Sequence, residues 1–173
     1  DAESARRRGE AIHALLETLP ALPEAGRADA AEALISARWR GADAEERAAA
    51  RAEAMAAMAL PEAAPVFASG ALAEAAVSVA LPGIGRVSGR IDRLSVSEGR
   101  ILAVDFKTDA APPATPEAAP EPYLRQLAVY RDALRALHPG HAVRVALVWT
   151  ALPRMDVPSD AALDAALARI AAS

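Results

Sequence analysis

The chain has 173 residues, the length of one ordinary domain and enough to bury a core without crosslinks. It has no cysteine, which excludes disulfides, thiolate zinc sites, cysteine-ligated iron–sulfur clusters and a cysteine nucleophile. The net charge of −4 argues against a nucleic-acid binder held by bulk charge alone. No apolar run approaches the roughly 18–20 residues of a membrane span, so we expect no membrane partner.

Residues 1–60 are predicted to be helical. A first helix ends before Pro20, and two more helices cover residues 27–40 and 44–59. The stripe that indicates the first helix consists of Ala5, Gly9, Ile12, Leu16 and Leu19. Because the chain begins Asp-Ala-Glu without an initiator Met, we expect it to be a piece of a longer protein.

A sheet is predicted to follow, because residues 81–102 contain no alanine although the whole chain has 48. Alanine favours helices and is depleted in strands, so the gap indicates strands between helical segments. We expect these strands at residues 74–81, 86–97 and 100–108. The last two are separated only by Glu98-Gly99, which predicts a two-residue hairpin loop.

The rest of the chain alternates between helix and strand. Residues 109–122 contain five prolines and predict a mobile loop, either a lid or an untethered surface loop. A helix over 123–138 and an apolar strand over 142–150 complete a parallel crossover, and a last helix runs from a Ser159 cap to about residue 171. The expected fold is therefore mixed α/β (α+β), with helices, three antiparallel strands, a helix, a parallel strand and a helix.

The predicted hairpin brings two acidic residues together. With a two-residue loop, Asp92 stands opposite Asp105 and Arg90 stands opposite Lys107, all four on one face. Two carboxylates about 5 Å apart repel by roughly 3 kcal/mol at an effective dielectric near 20. A shared proton, the flanking cations or a bound divalent cation could compensate. A three-residue loop would shift the register by one and weaken this interpretation.

Lys107 is the only lysine beside 18 arginines, which singles it out for a role that guanidinium cannot fill. Its motif, Asp-x-Lys, by itself favours a surface ion pair at a strand end. Two carboxylates with nearby carbonyls suit Mg²⁺ or Mn²⁺. A lysine next along the strand could then orient a metal-bound water or stabilise a developing oxyanion.

Four segments together resemble the PD-(D/E)XK nuclease superfamily, in its RecB-like branch. They are Arg8-Gly-Glu-Ala-Ile-His13, Gly89-Arg-Ile-Asp92-Arg-Leu, Val104-Asp-Phe-Lys-Thr108 and Gln126-Leu-Ala-Val-Tyr130. The resemblance spans roughly residues 8–152 and is greatest to the C-terminal nuclease domain of AddA-type helicase–nuclease subunits. Branch members that hold an iron–sulfur cluster through four cysteines fit less well, because this chain has none.

The resemblance implies a restriction-endonuclease-like core and a metal-dependent active site. Asp92, Asp105, the Phe106 carbonyl and His13 would hold Mg²⁺ or Mn²⁺, and Lys107 would act on the attacking water. Without the other motifs, His13 is more typical of a structural helix residue.

The resemblance also implies supporting residues around that site. Gln126, Tyr130 and Arg90 would contact the DNA backbone or support the site, although Tyr130 also fits a core stripe. Glu74 matches an acidic position on the first strand and ranks behind these residues.

The function implied by this resemblance is metal-dependent DNA hydrolysis, as an exonuclease within a bacterial cytoplasmic complex for double-strand break repair and recombination. The expected partners are single-stranded DNA or a duplex end, helicase domains of the same parent chain and a second helicase–nuclease subunit. We expect one nuclease domain over 1–173, with a helical part (1–60), a sheet and crossover helix (74–158) and a final helix (159–172). Two alternatives stay open: a catalytically silent DNA-binding or scaffold module, and a stand-alone restriction-like endonuclease.

Overall fold

A computed structural model of the chain describes residues 2–173. In that range the α-helices are α1 (Ala2–Thr18), α2 (Glu24–Arg38), α3 (Ala44–Met58), α4 (Ala64–Phe67), α5 (Glu121–Leu137) and α6 (Asp160–Ala171). The strands are β1 (Leu72–Leu81), β2 (Gly85–Ser97), β3 (Arg100–Lys107), β4 (Ala142–Trp149) and β5 (Arg154–Asp156). Within the same range, no helix is both long and apolar enough to cross a membrane.

The five strands form one sheet in the order β1-β2-β3-β4-β5. The first three strands are antiparallel and β4 runs parallel to β3, as predicted. Ser97 pairs with Arg100, so the two-residue hairpin loop and its register are confirmed. The mixed α/β fold with a parallel crossover through α5 is therefore the one expected from the sequence.

Helices cover both faces of the sheet, and the side-chain alternation of β3 and β4 supplies both cores. Val104, Phe106 and Val148 pack with buried residues of α1 to α4. Ala103 and Leu147 pack on the opposite side with residues of α5 and α6. This period-2 alternation is what a strand covered on both faces requires.

The structure adds elements that the sequence pattern does not show. The four-residue α4 and the three-residue β5 are too short to produce a recognisable period. The final helix does begin at the predicted cap, since Ser159 Oγ accepts a hydrogen bond from Ala162 N.

The proline-rich segment 109–122 is tethered, contrary to the untethered loop considered above. The Arg154 guanidinium donates to Pro113 O at 2.6 Å, and Glu117 accepts a hydrogen bond from Ser159 N at 3.1 Å. Ala119 is buried among residues of the second core. Proline removes backbone donors but leaves carbonyls and side chains free to make such contacts, which composition does not reveal.

Candidate active site

A cleft of about 370 Å³ lies where β3 ends and α5 begins. Its lining gathers most of the site residues that the sequence predicts. The residues that line the cleft are His13, Arg90, Asp92, Asp105, Phe106, Lys107, Thr108, Asp109, Tyr123 and Gln126. One helix from the N-terminal segment, two neighbouring strands and the crossover helix therefore meet at one depression.

Asp92 and Asp105 follow the confirmed register but are not a backbone pair. The β2–β3 ladder extends only as far as Arg93↔Val104. At the next position the Asp92 carboxylate accepts a hydrogen bond from Phe106 N at 2.8 Å. A side-chain bond thus replaces the ladder there, and the direct pairing expected for Asp92 with Asp105, and for Arg90 with Lys107, does not occur.

The environment of Asp92 disfavours its charge. Burial raises its pKa to about 7, and the nearby charges of Asp105 and Glu74 act in the same direction. The hydrogen bond from the Phe106 backbone and the charge of Lys107 only partly offset this. The repulsion between carboxylates that the hairpin register predicts is therefore present in the folded chain.

Asp105 is paired with the only lysine of the chain. Asp105 Oδ2 lies 2.6 Å from Lys107 Nζ, and the exposed side-chain fractions are 6% and 14%. The same oxygen is buried and accepts no hydrogen bond of acceptable geometry. It therefore has a neighbouring charge but keeps unused acceptor capacity.

Residues of α5 surround the Lys107 ammonium. Lys107 Nζ donates to Gln126 Oε1 at 3.1 Å and lies 4.0 Å from the centre of the Tyr123 ring. Gln126 Nε2 in turn donates to Tyr130 Oη at 3.3 Å, and that hydroxyl donates to Arg90 O at 2.7 Å. A continuous chain of contacts thus connects β3, α5 and β2 around the lysine.

His13 reaches the cleft from α1. Its Nδ1 lies 3.5 Å from Asp92 Oδ2, and its ring contacts Phe106 edge-on. Burial lowers the pKa of His13, although the charge of Asp105 acts against that effect. A neutral imidazole beside a carboxylate retains a nitrogen lone pair that can bind a cation.

Glu74 occupies the neighbouring position on β1. The pairs Ala73↔Arg93 and Ala75↔Ile91 flank it, which places it beside Asp92. Its φ of 50° is the one left-handed value among the non-glycine residues that the structure describes. Such a conformation costs about 1–2 kcal/mol, and strained residues of this kind cluster at functional sites.

The donor set fits a hard divalent cation by its chemistry. Two carboxylates, one with a raised pKa and one with an unused buried oxygen, are joined by the half-buried imidazole of His13. The backbone of Phe106 interacts with both Asp92 and His13. Across residues 2–173, however, no three His, Asp or Glu side chains already form a metal cage.

Three cleft residues, Thr108, Asp109 and Tyr123, were not predicted as site residues. The Tyr123 ring covers Lys107, and its hydroxyl donates to Asp109 at 3.1 Å. Its spacing from Gln126 and Tyr130 is i, i+3 and i+7, which places all three on one helix face. That spacing is the signal that could have indicated it, whereas no sequence pattern indicated Asp109.

The sheet order, the crossover helix and the Asp–Asp–Lys cleft define a restriction-endonuclease-like domain. Residues 1–170 match the profile of the PD-(D/E)XK nuclease superfamily. The chain therefore belongs to the PD-(D/E)XK nuclease superfamily.

Two further comparisons add little to this assignment. No curated protein sequence matches the chain. A solved structure described as "Crystal structure of SSO0001" is similar, with 11% identity and a TM-score of 0.39. The match covers 94% of this chain and 83% of the other, and a similarity at this level carries no conclusion about function.

Proposed function

We propose that the chain is a metal-dependent DNA nuclease domain, an exonuclease of the RecB-like, AddA-type kind that works beside helicase domains in double-strand break repair. The observation that carries this proposal is the cleft in which two carboxylates, the only lysine and a half-buried histidine meet. The superfamily supports nuclease chemistry in general. The helicase partners, the repair role and the bacterial cytoplasm rest on the sequence motifs.

In this proposal, Asp92, Asp105, the Phe106 carbonyl and His13 hold Mg²⁺ or Mn²⁺. When bound, such an ion supplies positive charge for the scissile phosphate and lowers the pKa of a water molecule. The unused acceptor capacity of Asp105 Oδ2 and the raised pKa of Asp92 both favour uptake of a cation. Glu74 adds negative charge to the same region.

Lys107 orients the attacking water or stabilises the charge that develops on the phosphate oxygens. Water oxygen bonds to phosphorus, one ester P–O bond breaks, and the departing oxygen takes a proton. Gln126 keeps the ammonium aimed into the cleft through its 3.1 Å hydrogen bond, and Tyr130 holds Gln126. Arg90 lies at the rim of the cleft, where its guanidinium can contact a DNA phosphate.

The test is cleavage of end-labelled single-stranded and duplex DNA by the 173-residue chain, with Mg²⁺, Mn²⁺ or EDTA. We expect divalent-dependent cleavage that is lost in Asp105→Ala and Lys107→Ala. Asp164→Ala is the control, because that exposed carboxylate on α6 lies outside the cleft. An inert wild-type chain that binds Mn²⁺ would refute nuclease activity for this chain.

A second candidate is a catalytically silent nuclease-fold module that binds DNA or acts as a scaffold. One observation favours it: Lys107 already neutralises Asp105 at 2.6 Å, which lowers the need for a cation. Calorimetric titration with Mn²⁺ separates the candidates. Binding that is lost in Asp92→Ala supports the nuclease, whereas no binding in either protein supports the silent module.

A further inference from the structure

A cluster of three polar side chains lies behind the cleft, on the side of the sheet opposite α5. It consists of Arg8 on α1, Glu53 on α3 and Thr150 just after β4. Thr150 is fully buried, and the Glu53 side chain is only 12% exposed. An acidic residue so far from solvent requires partners, and each of its carboxylate oxygens has one.

The partners of Glu53 come from two different elements. Thr150 Oγ1 donates to Glu53 Oε1 at 2.5 Å, and the Arg8 guanidinium donates to Glu53 Oε2. Arg6 and Arg7, the preceding residues of α1, pair instead with Glu3 on their own helix. Of these three consecutive arginines, Arg8 is the one that joins α1 to α3.

Residues of the cluster donate hydrogen bonds to two backbone carbonyls at the end of β3. Thr150 N donates to Lys107 O at 3.0 Å, and Arg8 donates to Thr108 O at 3.3 Å. Helix α1 approaches closely here, because a Cβ on Gly9 would lie 3.1 Å from Thr108 Oγ1. Residues of α1, α3 and the end of β4 therefore together hold the backbone that directly follows the Asp-x-Lys motif.

Glu53 also decides how Thr150 uses its single hydroxyl proton. Thr150 Oγ1 lies 2.5 Å from Glu53 and 3.3 Å from Lys107 O, and one proton cannot serve both acceptors. The charged, closer acceptor takes the proton, so Lys107 O accepts only from the amide of Thr150. Loss of either the carboxylate or the hydroxyl breaks this contact, which connects α3 to the end of β3.

We propose that Glu53, acting through Arg8 and Thr150, is the positioning residue that sets where Lys107 lies in the cleft. The β3–β4 ladder ends at Lys107↔Trp149, so nothing in the sheet itself restrains the chain beyond this pair. The cluster supplies that restraint at the strand end. The catalytic consequence of this placement rests on the proposed nuclease function, but the placement itself does not.

The single lysine makes the placement directly measurable. Labelling the protein with ¹³Cε-lysine gives one side-chain NMR signal, which arises from Lys107. In the wild-type protein the Tyr123 ring, 4.0 Å away, shifts this signal from the position of free lysine. In Glu53→Gln we expect the signal to move toward the free-lysine position, without DNA or metal present.

Glu32→Gln is the control, since it breaks another interhelical Arg–Glu pair, that with Arg47 (2.7 Å) between α2 and α3, whose carboxylate is more exposed than that of Glu53. The control should leave the Lys107 signal in place. Thr150→Val is the second variant, because it removes the hydroxyl and keeps the backbone amide on Lys107 O. It should move the signal in the same direction even where Glu53→Gln does not fold.

Cleavage assays give the second readout. We expect Glu53→Gln to lower kcat by about 10–100-fold with little change in KM, as loss of a partner that orients a functional group typically does. In a Lys107→Ala background the same substitution should have no further effect on the residual rate.

Each outcome has a distinct meaning. An unmoved lysine signal in both Glu53→Gln and Thr150→Val overturns the positioning role. A signal that moves in a protein without nuclease activity supports the positioning role and contradicts only the proposed function.

Discussion

Two charge clusters in this fold each place three carboxylates around one central cation, but the pKa values of their carboxylates shift in opposite directions. Between α5 and α6, Arg131 pairs with Asp132, Asp160 and Asp164 at 2.5–2.9 Å. In the cleft, Lys107 is the cation beside Asp105, Asp92 and Glu74. The pKa of Asp160 is lowered by its hydrogen bond from Arg131, whereas burial raises the pKa of Asp92 to about 7.

The difference lies in whether the carboxylates are exposed to water or buried with the cation. Arg131 is 2% exposed, but the side chains of Asp160 and Asp164 are each 67% exposed to water. Their hydrated carboxylates accept hydrogen bonds from the guanidinium, which has five N–H donors. In the cleft the carboxylates are buried together with the cation, at 6% and 15% for Asp105 and Asp92 and 14% for Lys107. In the cluster around Arg131, the carboxylates are stabilised in their charged form, and the cluster stabilises the fold. In the cleft, additional positive charge would still stabilise the carboxylates.

The largest expected effect is on catalysis in the cleft. Asp105→Asn should reduce cleavage by about a thousandfold, since it removes charge aimed at the reacting centre. Asp164→Asn, in the Arg131 cluster, should leave the rate within a factor of two or so, because it lies outside the cleft. Rates measured at saturating Mn²⁺ test both variants. A similar loss of cleavage rate in the two variants would contradict a catalytic role for the cleft and a purely structural role for the Arg131 cluster.

The next effect is on stability at the Arg131 cluster. Arg131→Met should lower the free energy of unfolding by about 2 kcal/mol, less than the 3–5 kcal/mol seen for wholly buried pairs, because its carboxylate partners can hydrate. Urea unfolding measures this value. The cleavage rate per folded molecule should stay at the wild-type level, and a large rate loss would show that the two clusters are coupled.

The pH dependence of stability should have opposite signs in the two clusters. Because the pKa of Asp92 is higher in the folded state than in the unfolded one, its contribution is greatest below about pH 4. That contribution is lost as the pH rises toward about 7. The lowered pKa of Asp160 acts in reverse, with stability lost as the pH falls.

Urea unfolding in EDTA at pH 5 and pH 8 tests the sign at Asp92. Asp92 makes the folded state less favourable at pH 8 than at pH 5, whereas the lowered pKa of His13 acts in the opposite direction. The change in stability from pH 5 to pH 8 should therefore be more unfavourable in the wild-type protein than in Asp92→Asn. Equal changes in the two proteins would assign the pH effect to other groups.

The smallest effect concerns the contacts that connect the cleft to α5. Tyr130→Phe removes the hydroxyl that donates to Arg90 O, which should cost about 1 kcal/mol of stability. Gln126 also loses a neighbour, so we expect a rate decrease of roughly tenfold. Tyr123→Phe is the comparison variant, since it keeps the ring over Lys107 and removes only the contact with Asp109.

Most of the fold could be predicted because its signals are local. The stripe on α5, the apolar run of β4 and the Ser159 cap each depend on a few neighbouring residues. The prediction failed for β5, where three residues are too few to show a period, and for the tethers of the proline-rich segment. Those tethers depend on partners 40 or so residues away, such as Arg154 for Pro113.

The candidate site divides in the same way. The hairpin register follows from a two-residue loop, so the proximity of Asp92 to Asp105 could be inferred from spacing. The spacing did not predict that the Asp92 carboxylate accepts a hydrogen bond from Phe106 N in place of a ladder pair with Asp105. At this position a side chain competes with the backbone for the hydrogen bond. The cover that Tyr123 provides over Lys107 depends on how α5 packs on the sheet.

The amino-acid sequence by itself determined the order of elements, the hairpin and the set of acidic and basic groups that it brings together, because these depend on short-range periodicity and turn geometry. Only the tertiary structure decided how those groups are charged and held. Burial raises the pKa of Asp92, α5 holds the ammonium of Lys107, and Glu53 fixes the strand end from a helix more than fifty residues earlier in the chain. Desolvation and long-range hydrogen bonds arise only when distant segments pack, so no local pattern encodes them.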